Sequence, residues 1–312
     1  MGQRDSDQQG FQSFHFRVWS LVLELEKCGD GVHPSEHLFQ ETRARTQKKV
    51  RMAPSPPLDD IEAGLRRGWS HLLSLHRDAH ASDFYAEVNA WTPAKAWYAI
   101  HHAFTALLPF IASSAKNLTH DLTTTESAKI VAQMKVLPHP FSAWVTGAPP
   151  DVKYYGLGSD PQPLSNLADP RTTPFDDQMG LLLRSTADYR IELKRKKWLR
   201  GNPSRKRLSP GMRTQWATAM NETTIFHFMY RLRLRVNYDD PDTFVVGAPD
   251  DDKAQWFARN LLLVTDALMA GVEGVLAGYV GSSEIARMAD SYARKRGCDR
   301  SDPVGRRAQF IR

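Results

Sequence analysis

The stretch TPAKAWYAIHHAFTALLPFI, residues 92–111, decides the fold class of this 312-residue chain. Its large apolar residues recur at spacings of three and four, which is the period of an α-helix buried along one side. These residues are Trp97, Ile100, Phe104, Leu107, Leu108 and Ile111. Thr92 is a favourable N-cap and Pro93 suits the first helical position, while Pro109 is expected to kink the helix or end it early. The pattern predicts a core helix.

Helical patterns also lie on both sides of this stretch. Acidic residues at 59, 60 and 62 favour a helix start, and one side of that helix carries Leu65, Trp69, Leu72 and Leu73. Residues 181–199 and 212–238 are predicted as two further helices. Acids at 250–252 then begin a last long helix, with an apolar stripe of Phe257, Leu261, Val264, Leu268, Val272 and Val275. No strand pattern of comparable length appears, so the sequence predicts an all-α helical bundle.

The two most apolar helices are expected to pack against each other. Helix 93–111 and helix 254–280 each carry a long stripe of large apolar residues, and no other segment offers a partner of equal length. Phe104 and Leu108 should therefore be buried. Their predicted contacts lie among Leu261, Val264 and Leu268.

The composition excludes several classes of protein. A hydrophobic fraction of 41% and an aromatic fraction of 10% argue against wholesale disorder. The longest apolar runs are interrupted by Pro109, Asp266 and Glu273, so they are interpreted as buried core helices, and no membrane partner is expected. Cys28 and Cys298 lie far apart, without metal-binding spacing. We expect no metal, no cofactor and a cytoplasmic location.

Composition also suggests how the chain is organised. Residues 1–58 look like an N-terminal extension, ending in a stiff Pro-rich linker at 53–57; one interpretation is that the natural start is Met52 and that the extension is not native or is poorly ordered. The helical bundle is predicted over residues 59–295, with an insertion at about 117–211 that is irregular from 138 to 174. Residues 296–312 are predicted to be a basic C-terminal tail.

The net charge of +6 is concentrated in one segment. Ten basic residues lie between Arg184 and Arg207, opposed by two acids, and the rest of the chain is slightly acidic. Basic residues beside an aromatic ring can hold a nucleic-acid backbone and stack one base. The candidate nucleic-acid-binding residues are Lys194, Arg195, Lys196, Lys197 and Trp198. The alternative is a solvated basic helix.

Two segments together resemble the HEPN family of helical proteins. In the first, KAWYAIHHAFTALL at 95–108, the family's aromatic-rich pattern Tyr-Tyr-Ala-x-x-His-Ala is matched by Trp97, Tyr98, Ala99, His102 and Ala103. In the second, RLRLRVNYD at 231–239, the pattern Arg-x-x-Ala-Asp-Tyr is matched by Arg233, Val236, Asn237 and Tyr238. The likeness covers roughly residues 59–116 and 212–280.

The resemblance implies binding of RNA or a nucleotide. It further implies a metal-independent endoribonuclease in stress response or defence, with a homodimer as the assembly. Arg233 would act with His102 or Tyr238 as the proton-handling partner. Family ribonucleases pair an Arg with a His a few residues later, whereas the residue five after Arg233 is Tyr238, whose ordinary pKa of about 10 makes it a poor base. His227, one turn before Arg231, is an alternative proton carrier.

The spacing of the second segment also has a physical interpretation without the family. Arg231, Arg235 and Tyr238 fall on one helical stripe, and Arg233 and Asn237 on another. Arginines grip phosphates, and Tyr and Asn contact bases. If these groups form a site, they should converge with His102 in one cleft that is partly open.

A different class of protein remains as the alternative. It is a non-catalytic helical interaction or regulatory module whose Arg/Tyr motif is structural. In that case Arg233 should be buried and saturated by carbonyls or a carboxylate, and Tyr238 should be sealed under a neighbouring helix. The sequence leaves open whether the chain is an enzyme.

Overall fold

Helices dominate the part of the chain that the structure describes, which confirms the all-α fold class. The structure is a computed structural model. It describes residues 3–29, 31–50, 58–80, 88–111, 119–147, 153–155, 175–205, 207–239 and 242–311. Most of the segment predicted to be irregular, 138–174, lies outside these residues.

The α-helices differ widely in length, and the longest has 30 residues. In chain order they are α1 (Gln3–Cys28), α2 (Pro34–Gln47), α3 (Leu58–His80), α4 (Thr92–Ile111), α5 (His120–Ala128), α6 (Phe175–Gly201), α7 (Pro210–Thr218), α8 (Ile225–Leu234), α9 (Asp242–Val245), α10 (Asp251–Val280), α11 (Ser282–Arg296) and α12 (Pro303–Phe310). Two π-helical turns follow α5 and α8, at Lys129–Gln133 and Arg235–Asp239.

Three short strands form a small antiparallel sheet beside the bundle. They are β1 (Trp144–Thr146), β2 (Lys153–Tyr155) and β3 (Thr223–Thr224), in the order β2-β1-β3. Trp144 pairs with Tyr155 on one side and with Thr224 on the other. The sheet therefore ties the segment after α5 to the start of α8.

Helix α10 is the centre of the core. It packs against α1, α2, α3, α4 and α11, so the predicted contact between the two most apolar helices is confirmed. Phe104 and Leu108 are buried as predicted, and the ring of Phe104 also meets Phe226 of α8, with centroids 4.8 Å apart. By length and composition α10 could cross a membrane, but 89% of its most apolar window is buried inside the protein, as in a core helix.

Glycines bring α2 very close to α10. A Cβ at Gly274 would lie 2.6 Å from the carbonyl oxygen of Phe39, and one at Gly278 would lie 2.5 Å from Cγ2 of Thr46. Both distances are shorter than real Cβ contacts. Any larger residue at these positions would push the helices apart, so the two glycines set the separation of the pair.

Residues 3–47 belong to the core of the bundle. Eight large apolar side chains of α1 and α2 are buried, namely Phe11, Phe14, Val18, Leu21, Val22, Leu25, Leu38 and Phe39. The expectation that 1–58 forms a poorly ordered extension is therefore wrong for these helices. Polar and charged residues between the apolar ones masked their periodicity in the sequence. The linker at 53–57 and Met52 lie outside the described residues.

The predicted C-terminal tail also folds back into the core. Arg307 of α12 is fully buried. Its Nε donates to both carboxylate oxygens of Glu273, at 2.9 and 2.6 Å, and its Nη1 donates to Asp266. The two acids that interrupt the apolar run of α10 are therefore the partners of this arginine. The expectation of a tail at 296–312 is wrong, because Arg307 forms ion pairs with the buried carboxylates of Asp266 and Glu273 and so holds α12 in the core.

The helix predicted over 212–238 is broken. The chain leaves α7 at Thr218, forms β3 and re-enters a helix at Ile225, where the backbone N–H of Thr224 donates to Nδ1 of His227 at 3.2 Å. Thr224 thus serves as the N-cap of α8. By contrast α4 continues past Pro109 to Ile111.

Candidate functional site

Arg233, near the end of α8, lies at the centre of an aromatic cage. Its side chain is buried, with 7% exposure. The guanidinium lies over the rings of Tyr98, Tyr230 and Tyr238, at 5.4, 5.8 and 5.7 Å from their centroids. Its Nη2 donates to Oη of Tyr98 at 3.3 Å, while Nε has no hydrogen-bond partner. The cage holds the cation through ring faces.

The π-helical turn Arg235–Asp239 explains why Tyr238 meets Arg233. One turn of π-helix spans about five residues, so it rotates the following side chains relative to an α-helix. Tyr238 consequently lies over Arg233, five residues earlier. The predicted common stripe of Arg231, Arg235 and Tyr238 is therefore wrong, since it assumed an unbroken α-helix.

Two histidines lie next to this cage. The rings of His101 and His120 have centroids 4.2 Å apart, and His120 lies 6.3 Å from the ring of Tyr230. The indole N–H of Trp97 donates to Nδ1 of His120 at 3.3 Å, which places a proton of the neutral imidazole on Nε2. His120 is half-buried, so this Nε2–H is the part of the pair that can act on a ligand.

His102 lies beside the cage, with its ring centroid 6.2 Å from that of Tyr98 and 5.3 Å from that of His101. It stacks on His71 of α3 with centroids 5.3 Å apart and an interplanar angle of 12°. Burial, followed by the charges of His71 and Arg67, lowers the pKa of His102 to about 4. The charge of Arg233 acts instead on His101 and His120, where burial is the largest cause of the lowered pKa.

All these imidazoles are neutral near pH 7. Burial, the neighbouring His120 and His102, and Arg233 lower the pKa of His101 to about 3. A lowered pKa makes an imidazole a weak base, although its neutral ring still donates one hydrogen bond and accepts another. The site therefore offers neutral imidazoles beside a fixed positive charge.

A groove runs between α6 and α8, beside the cage. One part has a volume of about 390 Å³ and the adjoining part about 510 Å³. The two parts share their central lining, which is Tyr189, Leu193, Lys197, Tyr230 and Leu234. Tyr230 belongs both to the groove and to the cage around Arg233, so the two form one continuous surface.

Cations of the basic run line this groove. Lys194 and Lys197 border its smaller part, and Lys196, Lys197 and Arg200 border the larger part, where Tyr238 stands opposite. The three lysines are exposed, and Tyr238 is 71% exposed. The two segments that the sequence singled out, about 40 residues apart, therefore face each other.

Two of the predicted basic-run residues point elsewhere. Arg195 donates to Glu192 on the same helix, from Nε to Oε2 at 2.7 Å. Trp198 meets Trp216 of α7 edge to face, with ring centroids 6.3 Å apart. Neither of them lines the groove. Both side chains engage partners outside the groove, which the sequence run alone did not resolve.

Of the remaining predicted residues, Arg231 and His227 line the smaller part of the groove, whereas Arg235 and Asn237 do not. Arg231, 9% exposed, donates from Nη1 to Oγ of Ser185 at 2.9 Å. Arg235 lies over the ring of Tyr189 at 5.7 Å. Asn237 is half-buried on the π-helical turn. His227 is 5% exposed and accepts the N-cap hydrogen bond through Nδ1, so it is part of a helix start and not a partner of Arg231.

The geometry combines features of both sequence interpretations. Arg233 is buried, as the structural alternative predicts. Its described partners, however, are tyrosines and not carbonyls or carboxylates, and Tyr238 is open to solvent. The sequence did not single out Tyr230, which belongs to the cage, or His101 and His120, which lie beside it. Tyr98 and the doubled His at 101–102 were visible in the quoted motif, whereas nothing in the sequence linked His120 to it.

The site is therefore an arginine held among tyrosines and neutral histidines, at the edge of a groove lined by lysines. Its elements come from α4, α5, α6 and α8. The chain matches no protein-family model, no curated protein and no solved structure in the three comparisons made.

Proposed function

We propose that this chain is an HEPN-like protein that binds RNA or a nucleotide in the groove between α6 and α8. One observation carries the proposal: the lysines of α6 face Tyr230 and Tyr238 across a single groove. Lysines attract the phosphates of a nucleic-acid backbone, and tyrosine rings stack on unpaired bases. The groove places the two kinds of group on opposite walls.

Size and exposure support this assignment. Each part of the groove falls within the range of about 300–1,000 Å³ that is typical of sites for small molecules. Tyr238 is free to receive a base because most of its ring is exposed. Arg233 beneath it holds the ring by cation–π contact, so a base stacked on Tyr238 would meet a preorganised surface.

Replacing Lys194, Lys196 and Lys197 together by Ala is expected to weaken RNA binding and to flatten its salt dependence. If each lysine neutralises one phosphate, the slope of log K against log salt should fall by about two units for a single strand. Fluorescence anisotropy of a labelled oligoribonucleotide between about 50 and 200 mM salt measures this slope.

The matched control removes three exposed cations far from the groove. Arg294, Lys295 and Arg296 at the end of α11 are all exposed, and their replacement by Ala changes the net charge by the same amount. The control should leave the slope near that of the unchanged chain. Equal slopes for the two triple variants would contradict binding in the groove.

A second candidate function, metal-independent RNA cleavage, is favoured by the neutral His120 beside Arg233. For this chemistry Nδ1 of His120 would exchange its hydrogen bond from Trp97 for the proton of a ribose 2′-hydroxyl, water would protonate the leaving 5′-oxygen, and the guanidinium of Arg233 would stabilise the phosphate. The sequence alone suggests His102 or Tyr238 for this role. The geometry favours His120, whose ring lies 5.5 Å from Tyr98 and 6.3 Å from Tyr230, two tyrosines that contact Arg233.

Under this hypothesis the chain degrades RNA in the presence of EDTA, and Arg233→Ala reduces the rate by about a hundredfold or more. His120→Ala should cost about as much, and His102→Ala much less. Arg287→Ala, at an exposed ion pair with Glu284, serves as the control. Degradation that is insensitive to Arg233→Ala would come from a contaminant or another site. Binding without degradation would leave the non-catalytic, regulatory alternative.

A further inference from the structure

Three arginines lie in a row between α1 and α8. Arg17 belongs to α1, Arg231 to α8 and Arg235 to the π-helical turn that follows it. Arg17 and Arg231 lie over the ring of Phe14, at 5.8 and 5.3 Å from its centroid. Arg231 and Arg235 lie over the ring of Tyr189, at 5.2 and 5.7 Å. Two aromatic rings thus alternate with three guanidinium groups, which places like charges next to each other.

This arrangement is costly without an anion. Arg17 and Arg231 are each 9% exposed, and Nε of each is buried without a hydrogen-bond partner among the residues that the structure describes. Burial, and then the charges of Arg17 and Arg235, lower the pKa of Arg231 to about 9. Burial and the charge of Arg235 lower that of Arg17 to about 10. Cations held in this way are stabilised when an anion approaches.

An open pocket of about 410 Å³ gives access to these arginines. We call it the arginine pocket; its polar lining consists of Ser185, Asp188, Tyr189, Glu192, Arg213, Arg231 and Arg235. Arg17 stands behind this lining. Of the two acids, Glu192 is engaged by Arg195, and Asp188 lies at the exposed rim, where its charge acts on Arg231.

We propose that the arginine pocket is a second anion site, which takes a phosphate group on Arg231, Arg235 and Arg213. The planar fork of a guanidinium donates two parallel hydrogen bonds to phosphate oxygens. The hydroxyl of Ser185 accepts from Arg231 and donates to the carbonyl oxygen of Leu182 at 2.9 Å, so it orients the guanidinium of Arg231 at the pocket. The site goes beyond the proposed function: it adjoins the groove, with Tyr189 and Arg231 in both linings, but Arg213 and Arg235 line the arginine pocket and neither part of the groove.

Inorganic phosphate is the probe for this site. At matched ionic strength in chloride, saturating phosphate is expected to raise the Tm of the full chain by about 3–5 °C, as for a ligand at about 100 times its Kd. Arg213→Ala removes an exposed side chain, and should weaken phosphate binding about tenfold without unfolding the protein. Arg17→Met should also reduce the shift, since it removes the charge behind the pocket.

Each variant is compared with its own phosphate-free Tm, so a change in basal stability does not affect the readout. The Ala variant of Lys194, Lys196 and Lys197 should keep the full phosphate shift, because these residues line the groove and not the arginine pocket. A shift that Arg213→Ala leaves unchanged, or one that the lysine variant abolishes, would overturn the proposal. So would the lack of any shift in the unchanged chain.

A second experiment distinguishes the phosphate at the end of an RNA strand from a free phosphate or a small phosphate ester. An oligoribonucleotide with a 5′-phosphate that binds more tightly than its 5′-hydroxyl counterpart, with the difference lost in Arg213→Ala, identifies the end of an RNA strand as the ligand. Equal binding of the two strands, together with a phosphate shift, identifies a free phosphate or a small phosphate ester. Both results support the site, whereas equal strands without a phosphate shift refute it.

Discussion

A chain that begins at Met52, and so lacks α1 and α2, is expected to lose cooperative unfolding altogether. The eight large apolar side chains of these helices are buried against the rest of the bundle. Burying one such side chain contributes about 1.5–3 kcal/mol. For eight side chains this amounts to about 12–24 kcal/mol as an upper estimate, which is as large as the net stability of about 5–15 kcal/mol that a domain usually has.

Thermal unfolding followed by circular dichroism, together with size-exclusion chromatography, measures this loss. The shortened chain should show a helical circular dichroism signal without a sharp thermal transition. It should also aggregate, because the loss of α2 exposes the apolar face of α10. Met52→Leu in the full chain is the control, since it removes the internal methionine and keeps both helices. A shortened chain with a sharp transition at the temperature of the control would show that residues 1–51 are dispensable.

Arg307→Met is expected to destabilise the protein by about 3–5 kcal/mol, the usual cost of leaving buried carboxylates without their cation. Asp266 and Glu273 are 1% and 0% exposed, so water cannot replace the guanidinium. Trp69 donates its indole N–H to Glu273 at 2.7 Å and Ser35 its hydroxyl to Asp266 at 2.6 Å. These two bonds are too few to hold both charges.

Chemical denaturation of the variant at several pH values separates lost charge from lost packing. Burial already raises the pKa of Glu273 above its ordinary value, although Arg307 and Trp69 oppose the shift. Without Arg307 that pKa should rise further, and a raised carboxyl pKa means that the folded state takes up the proton more readily. Lowering the pH from about 8 to 5 should therefore restore part of the lost stability.

Arg306→Met is the matched control for this prediction. Arg306 is the preceding residue and also contacts Asp266, at 3.3 Å, but its side chain is 27% exposed. Exposed ion pairs contribute at most about 1 kcal/mol. A decrease of similar size in the free energy of unfolding of both variants would contradict the prediction, because it would mean that the buried ion pairs of Arg307 stabilise the fold no more than the contact of Arg306.

The core helices could be predicted because their signal is local. In α3, α4 and α10 the large apolar residues repeat at the helical period along one side of the helix, so a short window of sequence shows the buried face. Helix α1 gave no such signal, since polar residues such as Asp7 and Arg17 are buried beside its apolar ones. Their burial depends on contacts with distant segments, which no window of sequence contains.

The candidate site could be predicted in part for the same reason. Arg233, Tyr238 and the lysines at 194, 196 and 197 were identified from composition and motif. The sequence could not reveal the π-helical turn that moves Tyr238 over Arg233, nor the position of His120. A π-turn is set by packing at the end of α8, and α5 reaches the cage through tertiary contacts with α4 and α8.

The buried ion pairs of Arg307 have a consequence for how the protein is made. Asp266 and Glu273 are synthesised about 40 residues before their cation, so on the ribosome the middle of α10 has two charges that cannot yet enter an apolar interior. At about 5–20 residues per second, this interval lasts several seconds. The native bundle can close only after residue 307 has emerged, and the nascent chain depends on chaperones or solvation until then.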